Sequence, residues 1–176
     1  IVISPGININ KYILKNFLKK NKNKIVTDLD VFYSYYNKNK TIAITGTNGK
    51  STVTRLLYLI LKNHQKDVRM CGNIGNPILL EKKISLKTIF VIELSSYQID
   101  YSKIFKANHA VILNITPDHL ERHGSLKKYI NAKYKLVKNQ SKNDFSYLNF
   151  KDKYLKKIIQ NHKSISKKIN VNLKIL

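Results

Sequence analysis

The sequence is poor in the features that mark secreted and membrane proteins. It has one cysteine, Cys71, among 176 residues, which excludes an internal disulfide and suits a reducing compartment. No apolar run approaches the roughly 20 residues that a membrane-spanning helix needs, and no signal peptide is visible. The chain begins with Ile1 rather than Met, and the run 1–6 is typical of a strand end entering a turn. We therefore expect the chain to be a piece of a longer protein.

Acidic residues are also scarce, with 10 Asp and Glu against 33 Lys and Arg, for a net charge of +23. Such a charge raises the question of nucleic-acid binding. Only Arg55, Arg69 and Arg122 are arginines, however, and the lysines are scattered among Asn, Ile and Tyr, all of which have A/T-rich codons. Genomic base bias is a sufficient cause, and the clustered arginines of a nucleic-acid surface are lacking. We expect no specific nucleic-acid partner, only weak attraction to polyanions.

A strand, a glycine turn and a helix follow one another around Thr41–Thr52. In the turn, Lys50 can neutralise phosphate charge, the Ser51 hydroxyl can ligate Mg²⁺, and backbone amides would point inward at the anion. The spacing departs from GxxxxGK[ST], because Ile44 stands where the first glycine should be. An ordinary glycine turn would leave a lysine at a helix start unexplained, since positive charge is disfavoured there without an anion. The context therefore predicts nucleotide binding.

Strands and helices alternate along the rest of the chain, which predicts parallel βαβ units in a doubly wound α/β sheet. In such sheets ligands bind at the carboxyl ends of strands. The predicted strands are 25–26, 41–45, 68–71, 88–94, 110–115, 145–150 and 169–171. The predicted helices are 11–23, 30–36, 50–64, 77–83, 125–139 and 152–162.

Two side chains at predicted strand ends are candidates for metal binding. Glu93 ends an apolar strand, where its carboxylate either holds the Mg²⁺ of a nucleotide opposite Ser51 or caps a helix. His119 follows the next strand beside Asp118, where it is either a metal ligand or a structural histidine. Lys133 lies on the helix that follows, and the residues alone would make it one more solvated lysine.

Five segments together resemble the Mur ligase family in order and spacing. Glu121 is one departure, because an aspartate is expected at that position; the change is conservative. The similarity is dense from Ile1 to about Asn139 and thin beyond it. The segments are Thr45–Thr52, Gly72–Gly75, Glu93–Gln98, Leu113–His123 and Ala132–Lys133.

The resemblance implies roles for these residues. Lys50 would clamp the β- and γ-phosphates of ATP, Ser51 and Glu93 would hold one Mg²⁺, and His119 and Lys133 would hold a second. An ammonium cannot ligate a metal, so Lys133 would be carbamylated, as the matching lysine is in this family. Lys50, His119 and Lys133 would thus be the catalytic residues. The implied ATP-binding residues are Gly46, Thr47, Asn48, Gly49, Lys50, Ser51 and Thr52, and the implied substrate-binding residues are Asn73, Gln98, Ser4, Pro5 and Gly6.

We further expect Lys133 to point inward, while Lys127, Lys128, Lys135 and Lys138 face solvent. An inward lysine would have a lowered pKa and could react with CO₂, because only the neutral amine is a nucleophile.

The string Glu93–Gln98 indicates which family members are most similar. They are ATP-dependent ligases that add D-glutamate to UDP-N-acetylmuramoyl-L-alanine, through an acyl phosphate, in bacterial peptidoglycan synthesis. The implied cofactors are ATP and two Mg²⁺ ions, and the implied enzyme is a cytoplasmic monomer with small-molecule substrates and no membrane partner. Residues 1–28 would be the end of an N-terminal UDP-binding domain plus linker. Residues 29–176 would be a central ATP-binding domain, truncated at its C-terminal end and inactive alone.

Three alternatives stay open. The chain could belong to another Mur ligase or to a folylpolyglutamate synthase. It could be a general P-loop NTPase, which would need a Walker-B aspartate and a water-positioning residue but no histidine–lysine pair. It could be a basic nucleic-acid-binding module, which would bind DNA with a steep salt dependence and perform no ATP chemistry.

Overall fold

Six parallel strands form the centre of the structure, a computed structural model that describes residues 1–162 and 164–171. The spatial order is β2-β3-β1-β4-β5-β6, and each neighbouring pair is parallel. The apolar runs predicted as central strands are buried on both faces, as parallel sheets require. The strands are β1 (Lys40–Thr45), β2 (Val68–Gly72), β3 (Ile89–Glu93), β4 (His109–Ile112), β5 (Phe145–Leu148) and β6 (Lys167–Asn170).

Seven α-helices accompany the strands in the described residues, several of them started by a side-chain cap. Thr27 and Asp30 form a capping box at the helix that begins at Asp28. Ser125 and Asp152 accept backbone N–H bonds at the starts of the helices that begin at Leu126 and Lys153. The helices are α1 (Lys15–Lys20), α2 (Asp28–Tyr36), α3 (Lys50–Asn63), α4 (Ser96–Tyr101), α5 (Leu120–His123), α6 (Leu126–Lys138) and α7 (Lys153–Asn161).

Helices cover both faces of the sheet, so the doubly wound α/β prediction is confirmed. On one face, Ile44 and Val91 pack with Val53 and Leu57 of α3. The opposite face forms the larger core with α2, α4, α6 and α7. Within the described ranges, no helix is long and apolar enough to cross a membrane.

Local assignments failed in three places. The helix expected over 77–83 is only a 3₁₀ turn at Ile78–Leu80, and the helix expected over 11–23 reduces to α1 and a 3₁₀ turn at Lys22–Lys24. The strand expected at 25–26 is a single bridge between Val2 and Val26. Sequence reasoning also missed the short helices α5 and α4, although the capping box of α4, formed by Ser95 and Gln98, is a recognisable start signal.

The first 27 residues lie against the α/β core through a small apolar cluster of their own. Ile3, Leu18 and Ile25 are buried together, with Tyr101 of α4 packed against them. Asp30 supports this junction from α2, because its carboxylate accepts bonds from Ser102 Oγ and from backbone amides of the 102–104 turn. The domain boundary predicted at residue 28 stays a prediction.

Candidate active site

A cavity of about 550 Å³ opens where β1, β3 and β4 end. It brings together most of the residues that the sequence predicted for the site, from segments more than 100 positions apart. The predicted residues that do not line it are Ser4, Thr47, Asn48, Gly49, the exposed Ser51, Thr52 and Glu93. The predicted residues on its wall are Pro5, Gly6, Gly46, Lys50, Asn73, Gln98, His119 and Lys133.

The phosphate loop leads from β1 into α3, as predicted. Gly49 is the N-cap residue with φ of 80°, a left-handed conformation that favours glycine. No side chain caps α3, which leaves amides of its first turn available to an anion. The Lys50 Nζ atom donates to the Thr47 carbonyl, 2.9 Å away. The expectation that the loop amides point at the phosphate is wrong for Thr47 and Asn48, which donate to Asn114 instead.

Glu93 lies at the end of β3 with only 1% of its surface exposed. Its Oε1 atom accepts a bond of 2.7 Å from Asn73 Nδ2, while its buried Oε2 atom has no partner among the described residues. A buried carboxylate oxygen without a partner is costly, and a cation would remove that cost. Glu93 does not cap a helix; Ser95 caps α4. The carboxylate therefore fits a divalent metal ion.

His119 occupies a strained position beside the cavity. Its φ of 53° is left-handed, and it is the N-cap residue of α5. The ring stays partly exposed, with Nε2 3.4 Å from Asp118 Oδ2 and the Tyr97 ring 5.1 Å away. No group of three or more His, Cys, Asp or Glu side chains in the described chain forms a metal cage by itself. Mg²⁺ does not need one, because it uses one or two carboxylates with substrate phosphates and waters.

Lys133 points inward from α6, as predicted, and is 2% exposed. Its Nζ atom donates to the Gly46 carbonyl at 2.8 Å and to Thr45 Oγ1 at 3.3 Å. The same atom lies 4.8 Å from the centre of the Tyr129 ring. The lysine therefore reaches the start of the phosphate loop from the neighbouring helix.

Its lysine neighbours divide into two groups. Lys127, Lys128 and Lys138 are exposed, as expected. Lys135 is half-buried, and its Nζ atom donates to the carbonyls of Asp100 and Ser102, so the expectation that it faces solvent is wrong.

Burial lowers the pKa of Lys133 from 10.5 to about 7, because removal from water penalises the ammonium. The nearby charge of Lys50 lowers the pKa further, and Asp118 opposes both effects. Near neutral pH a large fraction of this side chain is therefore the free amine, the form that can react with CO₂.

The lowered pKa predicts a pH-dependent stability. Above pH 7 the unfolded chain holds a proton on this lysine that the folded chain has lost, so stability rises with pH until the unfolded lysine titrates near 10.5. In CO₂-free buffer with a chelator, we expect the free energy of unfolding to rise between about pH 7 and 9 by about 2 kcal/mol more than in Lys133→Met. Urea unfolding at a series of pH values measures the free energy of unfolding. Parallel pH profiles of the native protein and Lys133→Met would contradict the prediction.

Arg122 holds the turn at Pro5 and Gly6 beside the cavity through hydrogen bonds. Its guanidinium donates to the carbonyls of Pro5 at 3.0 Å and Gly6 at 3.3 Å, and it lies over the rings of Tyr97 and Tyr101. The predicted substrate turn thereby reaches the cavity wall, although Ser4 itself does not line it.

Gln98 reaches the same wall from α4. Its Oε1 atom accepts from the Ser95 amide and hydroxyl within the capping box. Gln98 lies on the cavity wall, and its contact with a substrate stays a prediction.

Tyr97 and Tyr129 form an aromatic side of the cavity, to which the sequence had assigned no role. Tyr129 is fully buried, and its hydroxyl lies 2.9 Å from Thr47 Oγ1 of the phosphate loop. His123 does not line this cavity, but it stacks on Tyr97, and its Nε2 atom lies 2.9 Å from Ser96 Oγ. Burial lowers the pKa of His123, which favours the neutral ring. The helical spacing of Tyr129 and Lys133, four residues apart, was the one local signal that they share a face.

A larger cavity of about 820 Å³ lies on the other side of Tyr97. None of the described residues of the phosphate loop reaches it, and its lysine-rich wall reflects the composition of the whole chain. The smaller cavity is therefore the one that holds the candidate chemistry.

Comparison with known proteins identifies the family of this chain. The family model described as the Mur ligase middle domain matches residues 44–174. The chain is 43% identical over 162 residues to a Rickettsia bellii protein named UDP-N-acetylmuramoylalanine–D-glutamate ligase, covering 92% of this chain and 35% of that protein. It is 42% identical over 172 residues to an Elusimicrobium minutum protein of the same name, covering 93% and 38%. The chain belongs to the Mur ligase family, and it spans little more than a third of these relatives.

Solved structures share the fold at low sequence identity. A MurF ligase from Thermotoga maritima in complex with ADP matches with a TM-score of 0.61 and 18% identity, over 89% of this chain and 44% of that one. A UDP-N-acetylmuramate:L-alanyl-gamma-D-glutamyl-meso-diaminopimelate ligase from Neisseria matches with a TM-score of 0.67 and 13% identity, over 96% and 57%. The α/β architecture is thus the one found in these ligases.

Proposed function

We propose that the cavity binds ATP, and that the complete ligase containing this chain uses it to join D-glutamate to UDP-N-acetylmuramoyl-L-alanine. The convergence of Lys50, Glu93, His119 and Lys133 at one edge of the sheet carries the proposal. The names of relatives about 40% identical support this choice of substrates. The proposed enzyme is cytoplasmic and takes small-molecule substrates.

The nucleotide half of the site is the phosphate loop. Amides at the start of α3 and the Lys50 ammonium would bind the phosphates. The uncapped helix start has a partial positive charge, and the charged Lys50 side chain lies on the cavity wall beside it. Lys50 would exchange its present bond to the Thr47 carbonyl for a phosphate oxygen. The exposed Ser51 hydroxyl and the unpartnered Glu93 oxygen would hold one Mg²⁺.

The reaction joins two carboxylate-bearing substrates in two steps. A carboxylate oxygen of UDP-N-acetylmuramoyl-L-alanine attacks the γ-phosphorus of ATP, and ADP leaves. The amine of D-glutamate then attacks the acyl-phosphate carbonyl, loses a proton to a base, and phosphate leaves as the amide forms. Because two anions must meet in the first step, the protein contributes mainly alignment and positive charge.

His119 and Lys133 form the second proposed metal site. Carbamylation would turn Lys133 from a cation into a carboxylate-like ligand, and its pKa of about 7 favours the free amine that this requires. Two bound Mg²⁺ ions would screen the attacking carboxylate and the γ-phosphate from each other. Asn73, Gln98 and the Pro5–Gly6 turn would orient the muramoyl substrate from the opposite wall.

Phosphate release by the complete ligase tests this proposal. With ATP, Mg²⁺ and UDP-N-acetylmuramoyl-L-alanine present, we expect release with D-glutamate and little with L-glutamate, L-alanine or meso-diaminopimelate. Preference for another amino acid would overturn the assigned substrate. Release that needs no acceptor would favour the general P-loop NTPase, and binding of DNA without ATP turnover would favour the nucleic-acid module. Because this chain spans little more than a third of its relatives, we expect it to bind nucleotide without forming the amide, which needs both substrates held together.

A further inference from the structure

The chain after β4 runs alongside the phosphate loop and is hydrogen-bonded to it at several residues. The Leu113 amide donates to the Thr45 carbonyl at 3.0 Å, and the Thr116 amide donates to Thr47 Oγ1, also at 3.0 Å. Between them, the Thr47 amide donates to the Asn114 carbonyl at 3.1 Å. The phosphate loop therefore depends on a segment more than 60 residues away in sequence.

The Asn114 side chain makes the closest connection. Its Oδ1 atom accepts from the amides of Thr47, at 3.2 Å, and Asn48, at 2.9 Å. Its Nδ2 atom donates to the Asn48 carbonyl at 3.1 Å. These side-chain bonds all go to the phosphate loop, and they need both an acceptor and a donor, which a carboxamide provides.

These bonds restrain a backbone that would otherwise have unusual freedom. Gly46 and Gly49, on either side of Thr47 and Asn48, both have positive φ. Glycine loses more conformational freedom than other residues when it is ordered. With its amides bonded, the loop between the glycines has a defined direction before nucleotide arrives, and a loop ordered in advance lowers the cost of binding.

The same segment continues to His119. From Asn114 it passes Ile115, whose amide donates to Asp152 Oδ2 at 2.8 Å, and then reaches Asp118 and His119. One hydrogen-bonded segment, residues 114–119, therefore connects the phosphate loop to His119.

We propose that Asn114 is a positioning residue, which holds the phosphate loop in its nucleotide-binding conformation and fixes it relative to His119. This rests on the proposed ATP-binding function. Asn114 acts through the loop backbone and not by contact with the reacting atoms.

The chain offers a matched control at the other end of the same two strands. The Asn108 Oδ1 atom accepts from the Thr41 amide at 2.9 Å and from Thr41 Oγ1 at 3.2 Å. Asn108 therefore joins the start of β1 to the start of β4, away from the cavity. Asn114 makes the corresponding connection between the segments that follow the ends of the same two strands. Asn108→Ala should reproduce the stability loss of Asn114→Ala without its effect on nucleotide.

Two measurements test the proposal. By calorimetric titration with Mg·ADP and Mg·ATP, we expect Asn114→Ala to weaken binding about tenfold or more, and Asn108→Ala to bind like the native protein. In the complete ligase, the KM for ATP should rise by a similar factor, while the KM for D-glutamate stays within about twofold. Native-like nucleotide binding by folded Asn114→Ala would overturn the proposal.

Amide hydrogen exchange without nucleotide separates this proposal from the proposed function. Asn114→Ala should speed exchange at Thr47 and Asn48 in the loop more than within β1, whereas Asn108→Ala should speed exchange near Thr41. Unchanged exchange at the loop would overturn the proposed role of Asn114, whether or not nucleotide binds. Failure of the native protein to bind ATP would instead overturn the proposed function.

Discussion

Lys133→Ala is expected to reduce ligation by the complete enzyme at least about a hundredfold to a thousandfold. The variant removes the one buried lysine of the cavity wall, and with it the proposed carbamate ligand of the second metal ion. Initial rates of D-glutamate addition measure the effect. Truncation to Ala also removes the bonds to Gly46 and Thr45 and leaves a cavity, so the loss of rate is measured on protein whose melting curve shows a folded chain.

Chemical rescue and a control variant make this prediction specific. A short carboxylic acid such as acetate should partly restore turnover of Lys133→Ala, because it can supply the missing carboxylate in the vacated space. Lys127→Ala is the matched control, since Lys127 is exposed on the same helix. Lys135→Ala is a poor control, because Lys135 bonds α6 to the end of α4. Normal turnover of Lys133→Ala would remove the second metal from the mechanism and leave the phosphate-loop assignment intact.

Lys50→Ala is expected to weaken ATP use about a hundredfold or more in kcat/KM for ATP. A triphosphate bound at the loop would lose the ammonium that is expected to contact it, while the loop keeps its bonds to Asn114. Mg·ATP titration of this chain and phosphate release by the complete ligase both measure the change.

The control for this variant lies on the same helix. Lys62 is exposed in the last turn of α3, at the opposite end from the loop, so Lys62→Ala should leave ATP use unchanged. Equal ATP turnover by Lys50→Ala and the native enzyme would contradict nucleotide binding at this loop. A loss shared by both lysine variants would point instead to the general positive charge of the chain.

Much of the architecture could be predicted because its signals are local. Each of these signals determines the conformation of residues that lie only a few positions away in sequence. Examples are the apolar runs of β1 and β3, the glycines around Lys50 and the caps of α6 and α7. Parallel strands also place their carboxyl ends on one edge, so Glu93 and His119 could be expected near the phosphate loop. Where the local signal was weak, as at the 3₁₀ turn after Pro77, the prediction failed.

The sequence by itself determined the fold class, the phosphate loop and the family to which the chain belongs, because spacing along the chain carries all three. Only the tertiary structure decided that Lys133 is buried against Gly46, that Glu93 has an unpartnered oxygen, and that Asn114 bonds the loop. Those contacts join side chains to backbone more than 60 residues away or depend on how closely strands and helices pack. The hydrophobic periodicity of the sequence does not predict these contacts, because desolvation and hydrogen bonding at such sites arise only once the sheet and its helices have come together.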